Sequence, residues 1–365
     1  MRVLIAGGGT GGHVIPALAI ARQVRDAYGA EVRFVGTARG LETRLVPEAG
    51  FPLELIHVGQ LKNVSIATKI RTLFDLPLGV LRCIKLLKSY KPHAVVGVGG
   101  YASGPAMFAA ILLQTPTLAF EPNAAPGLAN RLAGKWVSAA AVNFEETRSY
   151  FRNARVTGIP VRAEFFALNK KPVGGSKKLL VFGGSQGARV LNEIMPKILF
   201  PLLRDVKGLT VLHQSGPRSE AATRQAYQET GAEESRWQVS AYLDDMPARF
   251  AEADLILCRS GASTMAELAA AGKAALLVPF AAATDDHQRK NADVFVAAGA
   301  ARMLLESELE PQRLIDILQA MLSEETALST MGEQARRLAH RDAVEVIGQM
   351  VMELAATKKK GLRFV

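Results

Sequence analysis

Cysteine is nearly absent from this chain: Cys83 and Cys258 are the only two in 365 residues. Two cysteines in so long a chain make no disulfide framework, and no Cys/His spacing suggests zinc. Aromatic residues are scarce as well, at 6%. A nucleic-acid module needs stacking platforms or a reading helix beside basic residues, and no basic–aromatic cluster occurs here, so nucleic acid is not an expected partner. No apolar run reaches roughly 18 residues, so no membrane span is expected. The strand-like run at the first residues leaves no room for a signal peptide. A cytoplasmic protein is therefore expected, one that would touch a membrane only from inside. Acid is short too: the formal net charge is +10, which favours an anionic partner such as a phosphorylated substrate or a membrane surface. Part of that charge is local, because Lys358, Lys359, Lys360 and Arg363 form a basic tail.

What is present in quantity is apolar sequence, at 49%, enough for a sizeable core. The length exceeds one usual core, so two domains are expected. Short aliphatic runs alternate with longer helical patterns. Strand candidates in the first half are 3–6, 32–35, 53–58, 94–98, 117–120 and 139–142, with helical stretches such as 14–28 and 104–113. After a polar Pro/Gly linker at 170–176 a second series begins at 179–182, 209–213, 237–240, 255–257 and 274–278. Its helices include 190–203, 263–271 and 288–298, and from 310 to 357 the pattern is helical only. The runs are apolar throughout rather than alternating, as strands buried on both faces are. The fold class expected is α/β, two Rossmann-like domains with doubly wound parallel sheets. The boundaries expected are 1–163 and 164–340, with a closing helix near 341–357 packing back on the first domain.

Two glycine-rich turns stand half a chain apart. The first is Gly7-Gly8-Gly9-Thr10-Gly11-Gly12-His13 and the second is Gly183-Gly184-Ser185-Gln186-Gly187-Ala188-Arg189. Each follows an apolar run and precedes a helical pattern. Such a turn offers free backbone N–H groups and the positive end of a helix dipole to an anion. Gly7-x-Gly9-x-x-Gly12 also satisfies the dinucleotide fingerprint. That fingerprint wants an acid at the end of the second strand to hold the ribose. Here that strand ends Phe34-Val35-Gly36-Thr37-Ala38-Arg39, without one, so a nicotinamide cofactor is disfavoured.

His13 falls in the first turn of a helix, where the dipole disfavours the charged imidazole. A neutral imidazole can take a proton from a hydroxyl; the plainer alternative is a histidine that only bonds a loop carbonyl. Gly97-Val98-Gly99-Gly100-Tyr101-Ala102-Ser103-Gly104 is a further strand–loop–helix junction. Glu121-Pro122-Asn123 follows the next strand and is placed at the same sheet edge, where it can hold sugar hydroxyls or merely cap a loop. In the second half, Cys258-Arg259-Ser260-Gly261-Ala262-Ser263-Thr264-Met265-Ala266-Glu267 again runs from strand to helix. Glu267, about a turn inside that helix, can reach a ribose hydroxyl pair. Thr284-Asp285-Asp286-His287-Gln288 opens one more helix, where Gln288 and Asn291 can meet sugar hydroxyls or serve as caps.

Taken in order, these motifs span almost the whole chain, and the set closely resembles the peptidoglycan N-acetylglucosaminyltransferases of the GT-B fold. That resemblance implies two domains facing a deep cleft and an inverting transfer of GlcNAc from UDP-GlcNAc to lipid I, the undecaprenyl-diphosphate-linked MurNAc-pentapeptide, giving lipid II. It implies donor contacts at Thr10, Gly11, Gly12, Asn123, Arg162, Ser185, Leu243, Ala262, Ser263, Thr264, Met265, Ala266, Glu267 and Gln288, with Leu243 meeting the uracil through its backbone. Acceptor contacts are expected at Gly9, Tyr101, Ser103 and Asn130. His13 is the candidate base, with Glu121 its rival. No cofactor and no metal are expected: no Asp-x-Asp motif lies near a sheet edge, and Asp244-Asp245 reads as a helix N-terminal pair.

A lipid-linked acceptor gives meaning to 62–91. Ile66, Ile70, Leu73 and Phe74, then Val80, Leu81, Ile84 and Leu87 after Pro77, follow helical spacing, interleaved with Lys69, Arg71, Arg82, Lys85 and Lys88. Such a basic amphipathic region can rest on the anionic surface at the cytoplasmic face of the inner membrane, or bury its stripe in the core. Other cell-wall enzymes are further candidate partners. The competing readings are another UDP-sugar GT-B transferase or an epimerase.

Overall fold

Near-continuous runs of Val, Ile, Leu and Ala give strands buried on both faces, and such strands require helices on either side of a parallel sheet. The computed structural model describes residues 1–38, 40–56, 66–168 and 176–359, with backbone only for 66–76 and 359. Its contacts divide the chain into two units, Met1–Pro160 with Asp342–Val365, and Val161–Arg341.

The first unit is built on β1 (Arg2–Ala6), β2 (Glu31–Gly36), β3 (Leu53–Leu55), β4 (Ala94–Gly97), β5 (Thr117–Glu121), β6 (Ala139–Val142) and β7 (Ala154–Val156). These strands are parallel in the order β3-β2-β1-β4-β5-β6-β7. Ile5 lies between Phe34 and Val96, and all three are buried. The helix Gly11–Tyr28 follows β1 and ends at Gly29, whose left-handed backbone returns two N–H groups to the Arg25 and Val24 carbonyls. The last helix, Ala343–Lys359, packs on Gly11–Tyr28, with Gly348 against Gln23. Lys358 donates to the Pro92 carbonyl at 2.8 Å and to Thr115 Oγ1 at 3.0 Å, so part of the basic tail is a strut within this unit.

The second unit carries β8 (Lys178–Phe182), β9 (Thr210–Gln214), β10 (Trp237–Ser240), β11 (Leu255–Cys258), β12 (Ala275–Leu277) and β13 (Arg302–Met303), parallel in the order β10-β9-β8-β11-β12-β13. Leu179, Val181, Leu255 and Leu257 meet Met195, Ile198 and Leu202 of the helix Arg189–Asp205 and Leu314 and Leu318 of the helix Pro311–Ser323.

Both sheets reverse their winding next to the strand that bears a glycine turn, between β1 and β4 and between β8 and β11. Ligands of open α/β sheets bind outside the carboxyl ends of the strands at such a switch point.

The sequence expectation missed β7, β13 and the helix Glu42–Glu48, which are short and weakly patterned. It also split 66–91 at Pro77, whereas the backbone forms one helix, Ile66–Tyr90, through that proline. An internal proline removes one N–H···O bond, a loss that packing of a long helix can offset. Val58, Lys62, the linker at 170–175 and Lys360 and Arg363 of the tail lie outside the described residues.

Candidate functional site

At the first switch point, β1 runs into Gly7–Thr10 and the helix starts at Gly11. Thr10 is the N-cap residue, with extended backbone and an exposed side chain that makes no capping bond. Its carbonyl accepts the N–H groups of His13 and Val14, both at 3.1 Å. His13 is therefore in the first helical turn, as its spacing predicts. A Cβ on Gly99 would lie 3.0 Å from His13 Nε2, so the loop after β4 is bare where the imidazole approaches. Tyr101 is exposed at that loop's tip, and Ser103, the first residue of the helix Ser103–Leu112, is fully buried against Gly97.

A residue without a role in the sequence reading organises this turn. Glu42 is 1% exposed. Its Oε2 accepts the Gly9 N–H at 2.7 Å, and its Oε1 accepts the Thr37 N–H and hydroxyl, each at 3.0 Å. Cβ atoms at Gly8, Gly36 or Gly40 would collide with the Glu42 side chain. The Gly9 carbonyl accepts from Leu41 N–H at 3.1 Å. Both backbone groups of Gly9 are thus engaged inside the unit, and what Gly9 offers an acceptor is clearance. The sequence signal was available: an acid soon after β2, beside glycines at 36 and 40.

Glu121, the last residue of β5, is 2% exposed. Its Oε1 accepts the backbone N–H and the Nδ2 of Asn123 at 3.0 and 3.1 Å. Its Oε2 accepts the Gly127 N–H at 3.0 Å and Asn130 Nδ2 at 3.1 Å. Burial pushes its pKa up and the four N–H donors push it back down. Both oxygens are committed to folding the 121–130 loop. Asn130, itself 2% exposed, also donates to the Phe120 carbonyl at 2.9 Å and lies under that loop.

At the second switch point, Ser185 is exposed on the turn between β8 and the helix Arg189–Asp205. The turn after β11 opens the helix Ala262–Ala271 with an extended N-cap, Gly261. Ser263, Thr264, Ala266 and Glu267 are half-buried there, whereas Met265 is fully buried and belongs to the core. Burial raises the Glu267 pKa to about 7, against the opposing charge of Arg162. Arg162 is exposed and its guanidinium lies over the Phe165 ring at 5.2 Å. Gln288 Oε1 accepts the Phe280 N–H at 3.0 Å, leaving Nε2 as the end that can meet a hydroxyl. Asn291 is fully buried and donates to the Ser260 carbonyl at 3.1 Å, so it holds the loop rather than facing a sugar. Arg259 is a strut too: Nη1 donates to the Val278 and Pro279 carbonyls at 3.0 and 3.1 Å and pairs with Glu306. Leu243 is half-buried beyond β10, and Asp245 caps the helix Met246–Glu252 through Ala248 N–H at 3.3 Å, as the Asp pair predicts.

The expected residues thus gather at two sheet edges. Thr10, Gly11, Gly12, His13, Tyr101 and Asn123 belong to the first unit, and Arg162, Ser185, Leu243, Ala262–Glu267 and Gln288 to the second. Among the described residues no cluster of His, Cys, Asp and Glu suits a metal.

Residues 3–142 match the N-terminal domain of glycosyltransferase family 28, and residues 178–347 match its C-terminal domain. A relative from Solibacter usitatus (strain Ellin6076) is 43% identical over 96% of each chain. Another, from Myxococcus xanthus (strain DK1622), is 41% identical over 97% of this chain and 93% of its own. Both are named UDP-N-acetylglucosamine–N-acetylmuramyl-(pentapeptide) pyrophosphoryl-undecaprenol N-acetylglucosamine transferase. The crystal structure of Acinetobacter baumannii MurG superimposes with a TM-score of 0.82 at 30% identity, covering 96% of this chain and 99% of that one. A Neisseria meningitidis UDP-GlcNAc 2-epimerase bound to UDP-GlcNAc shares the fold, with a TM-score of 0.66 at 13% identity over 97% of this chain and all of its own.

Proposed function

The chain belongs to glycosyltransferase family 28, and we propose that it is the inverting transferase that moves GlcNAc from UDP-GlcNAc to the 4-hydroxyl of MurNAc in lipid I, giving lipid II. The observation that carries this reading is the 43% identity to a transferase of that name over 96% of both chains. The epimerase alternative has only a shared fold at 13% identity.

In this reaction the MurNAc hydroxyl attacks the anomeric carbon, and the bond to the diphosphate breaks with its electron pair going to UDP. One displacement turns the α-linked donor into a β-linked product. The transition state carries positive charge on the sugar and negative charge on the leaving diphosphate. The helix N-termini after β8 and β11 supply backbone N–H groups for that negative charge. Ser185 and the Ala262–Glu267 turn serve the diphosphate and ribose, with Arg162 beside Glu267. Gln288 serves the sugar. Within the first unit, this proposal assigns Thr10, Gly11, Gly12 and Asn123 to the donor and Gly9, Tyr101, Ser103 and Asn130 to the acceptor.

His13 takes the hydroxyl proton. It stands in the first turn of the helix Gly11–Tyr28, where the bare backbone of Gly99 faces its imidazole. Glu121 is the weaker candidate, because four N–H groups already occupy its two oxygens. UDP release from UDP-GlcNAc, measured with and without a lipid I analogue, tests the reaction; release without acceptor at the same rate contradicts it. His13→Ala should lower kcat by about a hundredfold or more while leaving UDP binding intact.

A lipid-linked acceptor also calls for a membrane-facing surface, at the cytoplasmic face of the inner membrane. Among the described residues of the apolar stripe in 62–91, only Leu81 supports it. Val80 and Ile84 pack against the core and Leu87 is buried. Leu78 and Leu81 of the helix Ile66–Tyr90, Phe108 and Leu112 of the next helix, and Leu132 and Trp136 at the helix Leu128–Ala133 are instead exposed. These three helices pack in series, and Arg82, Lys85, Lys88, Arg131 and Lys135 are exposed among them. The side chains of Ile66, Lys69, Ile70, Arg71, Leu73 and Phe74 lie outside the described residues. No described helix is long and apolar enough to cross a membrane.

A further inference from the structure

Gln214 is the last residue of β9, and its register partners are Phe182 of β8 and Ser240 of β10. It therefore stands at the carboxyl edge of the sheet, between the glycine turn on one side and the Leu243 segment on the other. Its side chain is 1% exposed. Nε2 donates to the Gly184 carbonyl at 2.9 Å, and Oε1 accepts the Leu243 N–H at 2.8 Å. The partners fix the amide's orientation, because a carbonyl only accepts and an N–H only donates. One buried amide thus crosslinks the turn after β8 to the segment after β10.

The surrounding loops leave this crosslink little freedom. A Cβ on Gly187 would collide with the Ser215 carbonyl, and one on Gly216 with the Gln186 carbonyl. Asn192 Nδ2 holds the Ser215 carbonyl at 2.9 Å, and the Ser215 N–H reaches the Ser240 carbonyl at 3.0 Å.

We infer that Gln214 is a positioning residue for the nucleotide, one that sets the spacing between the diphosphate turn and the base segment and fixes which backbone group Leu243 offers the base. The inference rests on the donor reading given above. With its N–H committed to Gln214, Leu243 has its carbonyl, an acceptor, for a base. An acceptor suits a ring nitrogen that carries hydrogen, as uracil N3 does. Cytosine N3 is itself an acceptor and is repelled. Gln214 acts on base choice through Leu243 and on diphosphate affinity through Gly184.

Calorimetric titration of the full-length protein with UDP and with CDP tests this on two variants. Gln214→Glu keeps an acceptor for Leu243 N–H and loses the donor to Gly184. It should weaken UDP binding about tenfold and keep the UDP-to-CDP preference. Gln214→Leu loses both bonds, and its preference for UDP over CDP should shrink by about fivefold or more as the Leu243 N–H becomes able to face cytosine. A role limited to folding would weaken both nucleotides alike and leave that ratio unmoved. The inference is overturned if folded Gln214→Leu keeps the UDP-to-CDP ratio within about twofold of the parent, whatever its UDP affinity. Should Gln214→Leu not fold, Gln214→Glu decides alone, and unchanged UDP affinity overturns the inference. A parent protein that binds no UDP overturns the donor reading instead.

Discussion

Three buried or half-buried carboxyl groups in this protein sit in different surroundings. Glu42 is ringed by glycines and holds three donors, so a neutral amide cannot replace it without turning an NH2 group toward an N–H. Glu42→Gln should therefore cost about 2–3 kcal/mol of stability in chemical denaturation. Glu121 is a loop organiser with four donors. Glu267 is different: burial raises its pKa to about 7, so it gains charge as pH rises through neutrality. The same shift costs folding stability as pH climbs from the ordinary carboxyl value toward 7, because the folded state holds the proton longer than the unfolded chain. Ribose hydroxyls donate to a carboxylate better than to a carboxylic acid. UDP affinity should hence fall as pH is lowered through about 7, and Glu267→Gln should flatten that profile in calorimetry.

At the level of elements, the glycine turns work because two loops from neighbouring strands touch backbone to backbone. Gly187 shows this, with a φ of +74° and the Ser215 carbonyl where a Cβ would go. Gly208 has nearly the same φ, +72°, but open space around it. Gly208→Ala should cost about 1 kcal/mol from backbone strain alone, and Gly187→Ala about 2 kcal/mol or more with weaker UDP binding. Thermal melts of the two variants separate the contributions. These turns were legible in the sequence, since strand, glycines and helix are contiguous there. β7 and β13 were not: three and two residues carry too little periodicity to stand out. The helix through Pro77 was misjudged because proline's local effect was weighed without the packing that retains it.

For the whole molecule, the exposed apolar residues on three packed helices predict a defined membrane footprint in the first unit. Leu132→Ser with Trp136→Ser should reduce flotation with anionic liposomes by about tenfold, and added salt should reduce it further in the parent protein. Equal flotation of parent and variant would refute this footprint. The segment 62–91 supplied the idea of such a surface from its spacing, but tertiary packing turned Val80, Ile84 and Leu87 inward and left Leu78 and Leu81 outside.

The sequence by itself determined the two α/β units, the strands that carry the glycine turns and the residues that start each helix. All of these are local in the chain, and apolar runs, glycine and helix position act over a few neighbours. Tertiary structure alone decided what those residues face. Glu42 lies 33 positions from the Gly9 N–H it holds, and Gln214 lies 30 and 29 positions from Gly184 and Leu243. Contacts over such separations are set by strand pairing, which brings β2 beside β1 and seats β9 between β8 and β10, and periodicity does not encode that pairing. The glycine turns were written in the chain, and the carboxylate and amide that hold them in shape were assigned by the fold.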